Sequence, residues 1–317
     1  MINKIISGIA AFVTLSLPLV SQAETIYTAN EGGSSISRIT WPGDGKSAVI
    51  PISAMPHNVD IAAKKKLVLV TGMGGVLLVL DSKGELVKKI KIGTHPAHVI
   101  SDPSGGTAYV VLSGENSVAV VDLEKGETEK KIPVGDHPHG LRMSPDGKEI
   151  YVANMGDNTI SVISVQEKKE IARIPVGKKP VQVAVSPDGR VVYVSLNDEN
   201  AIAVVDVVHR NVLKKVATGD KPVQLMVASG KLFVANQGSR DAPGNIVTVI
   251  DTSNNEAVAS IPVGSGPHGV ASSLDGKVIF ITNVYSDEVS AIDVEKMSVV
   301  KTVPVGKEPN GIAVSGW

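Results

Sequence analysis

The sequence predicts an all-β protein, a seven-bladed β-propeller with four antiparallel strands per blade. Three observations predict it. A phrase of about 42 residues recurs along the chain, most clearly as Asp136–Gly177 and then Lys178–Gly219. Each copy holds four short apolar runs separated by turn residues, which is how a propeller blade reads in sequence. The two ends of the chain carry complementary fragments of the same phrase, so a strand missing at one end is present at the other.

Copies begin near Ala54, Thr94, Asp136, Lys178, Asp220 and Ser265. A proline opens the first strand of each. An SPDG-like turn follows, as in Ser144–Gly147 and Ser186–Gly189, with a Leu274-Asp275-Gly276 variant. Proline presets φ and glycine takes the left-handed position, so the turn is locally determined. The second strand then runs, for example, from Ile150 to Ala153 and from Val278 to Thr282. Four second strands end on asparagine, at Asn30, Asn154, Asn236 and Asn283. Asparagine there is expected to cap the following turn through side-chain hydrogen bonds. A third strand, as in Ile202–Val207, leads to a fourth that closes on IPVG or a relative, at Ile132–Gly135, Ile174–Gly177 and Ile261–Gly264.

The ends supply the last blade. Residues 24–53 contain Ile26–Asn30, Ile36–Trp41 and Ala48–Ile52, three strands without a first one. Lys307–Trp317 carries a first strand and then stops. Pairing the two closes the ring and removes its open edges. Residues 24–317 are therefore expected to form a single domain.

The phrases IPVG, SPDG and YVAN resemble the YVTN-type propeller repeat family, whose relatives include cytochrome-haem-domain-like and lactonase-like seven-bladed propellers. The resemblance covers nearly all of the chain after residue 23. It implies the fold and is nearly silent on activity, because propellers host many functions.

Composition bounds the function. The chain has 31 Lys plus Arg against 32 Asp plus Glu, so no global field attracts nucleic acid or an anionic membrane. It has no cysteine, which excludes disulfides, thiolate ligands, c-type haem attachment and a cysteine nucleophile. Lys4, the apolar run Ile5–Val20 and the small-x-small Ser21-Gln22-Ala23 read as an export signal over 1–23. A periplasmic or secreted protein starting at Glu24 is the expectation, with no membrane span after processing.

Six of the seven histidines fall in the segments joining one blade to the next. Aligned on the proline, His57, His139 and His268 share one register, and His98 lies one position later. Gln182, Gln224 and Asn310 occupy related positions. A closed ring points equivalent positions into its channel, so His57, His139 and His268 are the candidate metal ligands. His98, Gln182, Gln224 and Asn310 are the further candidates for holding a cofactor. Imidazole suits copper, zinc or iron, and can ligate haem axially. The competing reading is that these rings only hydrogen-bond the loop of a neighbouring blade, in blades too far apart to share one ion. The phrase PHG, at Pro138–Gly140 and Pro267–Gly269, resembles phrases of cofactor-bearing propellers. The copper propeller of nitrous oxide reductase and the haem propeller of periplasmic nitrite reductase both place histidine at the channel mouth. Streptogramin lyase is a weaker analogy for a divalent-ion enzyme. This chain lacks the richer histidine set and cupredoxin domain of the first and the eighth blade of the second. His95 and His137 precede their prolines and are expected at the rim, and His209 in a solvated turn.

The loop Gln237–Asn245 is longer than its counterparts, and its Arg240 and Asp241 are candidate partner contacts. No complete catalytic motif is present, so the balance leans away from an enzyme. The sequence favours a monomeric binding or accessory module that offers its channel mouth to an envelope protein or cofactor. A metal- or haem-binding protein, or a metal-dependent enzyme using the histidines, is the alternative.

Overall fold

The computed structural model describes residues 23–317; the expected export signal lies outside the described residues. Seven four-stranded antiparallel sheets form seven blades. Blade I joins the C-terminal strand Pro309–Ser315 to Glu24–Asn30, Ser35–Trp41 and Ser47–Pro51. Blades II to VII follow in chain order, and their innermost strands begin at Pro56, Pro96, Pro138, Pro180, Pro222 and Pro267. In blade I, Ile26 pairs with Val314 and Tyr27 with Ala313, across almost the whole chain. The expected closure is therefore the observed one.

Alternation within strands builds the cores. In blade IV, Ile150 and Val152 face blade III, while Tyr151 and Ala153 face blade V. Both faces of the strand are buried, so successive side chains serve two different interfaces. Each pair of neighbouring blades shares such a cluster. Blades II and III, for example, interlock Leu69, Leu77 and Val79 with Val110, Leu112 and Val121. A fully buried Val or Leu contributes about 1.5–3 kcal/mol, so these seams, not the hairpins alone, hold the ring.

The SPDG turn forms as its chemistry dictates. Asp146 Oδ1 accepts from the Ser144 hydroxyl at 2.7 Å and from the Lys148 amide at 3.1 Å. The Glu149 amide donates to Ser144 Oγ at 3.0 Å. The capping asparagines tie the second strand to the third. Asn154 Nδ2 donates to Thr159 Oγ1 and Ser161 Oγ, both at 2.9 Å. Asn30 does the same to Ser37 at 2.9 Å, and Asn283 to Ser290 at 2.8 Å. The glycine of IPVG passes directly over this asparagine. A Cβ on Gly135 would lie 2.4 Å from Asn154 Nδ2.

Every innermost strand carries a register shift just after its proline, as between Pro56 and Asn58 or between Pro138 and Leu141. A bulge frees a backbone amide and re-aims a side chain. Hydroxyls on the second strand take up the freed groups. Thr71 Oγ1 accepts from the Asn58 amide at 3.0 Å and donates to Ala97 O of the next blade at 2.7 Å. Ser195 links Gln182 to Val223, and Thr282 links Gly269 to Asn310, in the same way. The bulged residues at the channel mouth are thus held from two blades at once.

Gly135→Ala should destabilise the protein by about 1–3 kcal/mol, the usual cost of overpacking. Urea unfolding checks this, and an unchanged midpoint would show that Asn154 moves aside freely.

A trihistidine cluster at the channel mouth

The bulges of blades II, III and IV bring His57, His98 and His139 together. Their ligand atoms lie within 4.8 Å of one another. The rings touch, with centroids 5.8 Å apart for His57 and His98, 5.4 Å for His57 and His139, and 4.9 Å for His98 and His139. The register argument named the candidate ligands as His57, His139 and His268. The observed trio replaces His268 with His98, because three consecutive blades converge more closely than blade VII can. His98 reaches the group from the second position of its bulge, Ala97-His98, whereas His139 does so from the first position of the equivalent bulge, His139-Gly140.

Second contacts orient the rings. His57 Nδ1 lies 3.1 Å from Glu31 Oε2. His139 Nδ1 lies 3.2 Å from Val181 O. Carboxylate and carbonyl oxygens only accept, so His139 Nδ1 carries a hydrogen. His57 Nδ1 lies between the acceptor Glu31 Oε2 and the donor Asn310 Nδ2, the latter at 3.2 Å. With the His57 hydrogen on Nδ1, two bare Nε2 atoms face each other at 3.3 Å, and a cation or a proton between them relieves the repulsion; with it on Nε2, the same contact is an N–H···N hydrogen bond. Two imidazole nitrogens on one tetrahedral zinc, each about 2.0–2.1 Å from the metal, stand about 3.3 Å apart.

Burial keeps His98 and His139 neutral. Desolvation, reinforced by neighbouring histidine charge, lowers the pKa of His139 to about 3 and holds His98 well below the usual imidazole range. Burial opposes the charge on Glu31. Hydrogen bonds from His57 and Asn310, with the charge of His57, nevertheless hold its carboxyl below the ordinary range. Asn310 Nδ2 donates to Glu31 Oε2 at 2.5 Å.

His98 is set differently. Gln182 Oε1 accepts from the Val183 amide at 2.8 Å, which turns Gln182 Nε2 toward His98 Nδ1 at 3.1 Å. His98 Nε2 is buried without a partner. His139 is therefore preset as a ligand, while His98, its Nδ1 taken by Gln182, presents a partnerless Nε2–H. Ligation there requires the His98 proton to leave Nε2. A haem does not fit between three rings already in contact.

The other candidates lie apart from this cluster. His268 is buried and bonds Asn310 O through Nδ1 at 3.2 Å, the interblade role weighed from sequence. Desolvation and the nearby His57 lower its pKa to about 4. Gln224 is buried beside it, 3.4 Å from His268 Nδ1. His95 and His137 are exposed at the rim, and His209 is exposed and bonds Asp206 at 2.9 Å. The expected loop 237–245 is a short turn on two lengthened strands, with Gly238 paired to Pro243. Its Arg240 is pinned to its own surface, 2.8 Å from Glu308 Oε1 and over the Tyr285 ring, while Asp241 is exposed.

Sequence reasoning missed Glu31. It directly follows Asn30 at the end of a second strand. Its partner Asn310 lies 279 positions away, and only ring closure joins them.

Residues 17–228 match the family described as "Lactonase, 7-bladed beta-propeller", which is more than half of the chain. The chain belongs to this family of seven-bladed propellers. Residues 231–316 match a YNCE-like β-propeller. No curated protein matches the chain. Among solved structures, hydrazine synthase of Kuenenia stuttgartiensis is similar with a TM-score of 0.72 and 21% identity, over 81% of this chain and 89% of that one. A functionally unknown protein from Desulfotomaculum acetoxidans is similar with a TM-score of 0.77 and 17% identity, over 92% of this chain and 98% of that one. At these identities the likeness is one of fold.

The depressed histidines make stability depend on pH. An imidazole with an unfolded pKa near 6.5 and a folded value of about 3 (His139) or about 4 (His268) binds its proton first in the unfolded chain. Their contribution is present above about pH 6.5 and is lost as pH falls toward those folded values. Thermal melts of metal-free protein between about pH 6.5 and 4 should show this decline, and His139→Gln should flatten it. An equal slope in the variant would contradict the assignment.

Proposed function

We propose that this member of the lactonase-type propeller family is an exported metal-binding protein. His57, His98 and His139 hold one zinc or copper ion at the channel mouth. The observation that carries the reading is the convergence of three imidazoles with ligand atoms within 4.8 Å of one another, two of their Nε2 atoms facing at 3.3 Å with an oxygen acceptor beside each Nδ1. Neutral, buried imidazoles are what such an ion takes as ligands. Glu31 and Val181 O are the outer partners that orient them and raise their basicity. Three protein ligands leave a position open, where a bound metal would supply Lewis acidity or be passed to a partner. The favoured role is an accessory module presenting this ion in the periplasm or outside the cell. Hydrolysis of a cyclic ester, suggested by the family's description, is the enzymatic alternative, and the open position is what would support it.

Untagged protein purified from the exported fraction, or stripped and titrated, should bind one equivalent of zinc or copper. His98→Ala and His139→Ala should abolish this, and Glu31→Gln should weaken it about 10–100-fold. Absence of metal together with failure to bind added zinc or copper would overturn the reading. It would leave a proton shared between His57 and His139, balanced by Glu31, as the account of their approach.

A further inference from the structure

Below the histidines the channel opens into a cavity of about 700 Å³, within the range of small-molecule sites. It is lined by apolar side chains such as Ile100, Met226 and Val270, and its far mouth carries the exposed Lys66 and Leu274. Strand register defines a ring of equivalent positions around it. Arg142 faces Tyr151 across its blade just as Ile100 faces Tyr109, Ala184 faces Tyr193, Met226 faces Phe233 and Ala271 faces Phe280. Asp60 holds the same position in blade II, opposite Leu69. Two charges of opposite sign thus stand in a ring that is otherwise apolar or small.

These charges do not consume each other. Arg142 makes one hydrogen bond, from Nη1 to its neighbour's carbonyl, Leu141 O, at 3.2 Å, and forms no ion pair among the described residues. Asp60 uses Oδ2 for both the amide and the hydroxyl of Ser101, at 2.8 and 3.0 Å, and leaves Oδ1 open. A half-buried guanidinium lining the cavity without an ion-pair partner is available to an anion, and the fork of N–H groups it presents matches a carboxylate in two-point contact. Blades V and VI fill this position with Ala184 and Met226, so the fold does not need an arginine there.

We propose that the channel binds a small organic acid bearing a hydrogen-bond donor near its carboxylate, that is, a hydroxy or amino acid. The carboxylate meets Arg142, the donor meets Asp60 Oδ1, and the hydrocarbon part lies against Ile100, Met226 and Val270. The site goes beyond the metal reading and does not depend on it.

The test is calorimetric titration of the full protein, metal-free and metal-loaded, with α-hydroxybutyrate, butyrate, α-hydroxybutyramide and inorganic phosphate. The hydroxy acid should bind best and the amide not at all, in both metal states. Arg142→Met, a residue the fold already accepts in blade VI, should fold normally and weaken acid binding about tenfold or more. Asp60→Asn should reduce the preference for α-hydroxybutyrate over butyrate. No saturable binding of the acids, equal binding of the amide, preference for phosphate, or undiminished binding by Arg142→Met would each overturn the proposal, whatever the metal analysis gives.

Discussion

Ring closure is the constraint on which the rest depends. The pairing of Pro309–Ser315 with Glu24–Asn30 gives blade I its inner strand and gives blades VII and II a neighbour. Without it two apolar seams face water and two sheet edges are open. The same pairing carries Asn310 to Glu31 and sets Glu31 against His57. A topological requirement of the fold thus reaches the chemistry of the channel mouth in two hydrogen bonds.

The mouth itself is a product of repeated irregularity. Each inner strand starts with a proline and then breaks register. The bulge turns the next one or two side chains toward the axis, and a hydroxyl from the second strand holds the displaced backbone. Blades III, IV and VII break register over the same interval, so the place of each blade around the ring decides which imidazoles meet. That is how His98, out of register with His57 and His139 in sequence, becomes their partner in space. His268, in register, instead bonds the backbone of blade I.

The channel has two layers of different character. At the mouth, burial keeps His98 and His139 neutral, and the Nε2 atoms of His57 and His139 face each other. Lower down, two side chains of opposite charge interrupt an apolar ring without pairing. Charge and orphan donors concentrate in blades II to IV, while blades V and VI present glutamine, alanine and methionine at the corresponding places. The ring is close to sevenfold in backbone and strongly one-sided in chemistry.

The sequence by itself determined the fold, because the repeat period, the turn residues and the alternating apolar pattern are local and recur in every copy. Complementary fragments at the two ends were enough to predict closure and the composite blade. The sequence also located the histidines at the mouth, since their offset from a proline is a local property. Only the tertiary structure decided which of them meet. Their distance depends on blade adjacency around the closed ring, which is not encoded within a single repeat. Glu31 and Arg142 were invisible for the same reason. One acquires its role through a contact that spans almost the whole chain. The other acquires it by standing in a ring whose remaining members come from six other blades.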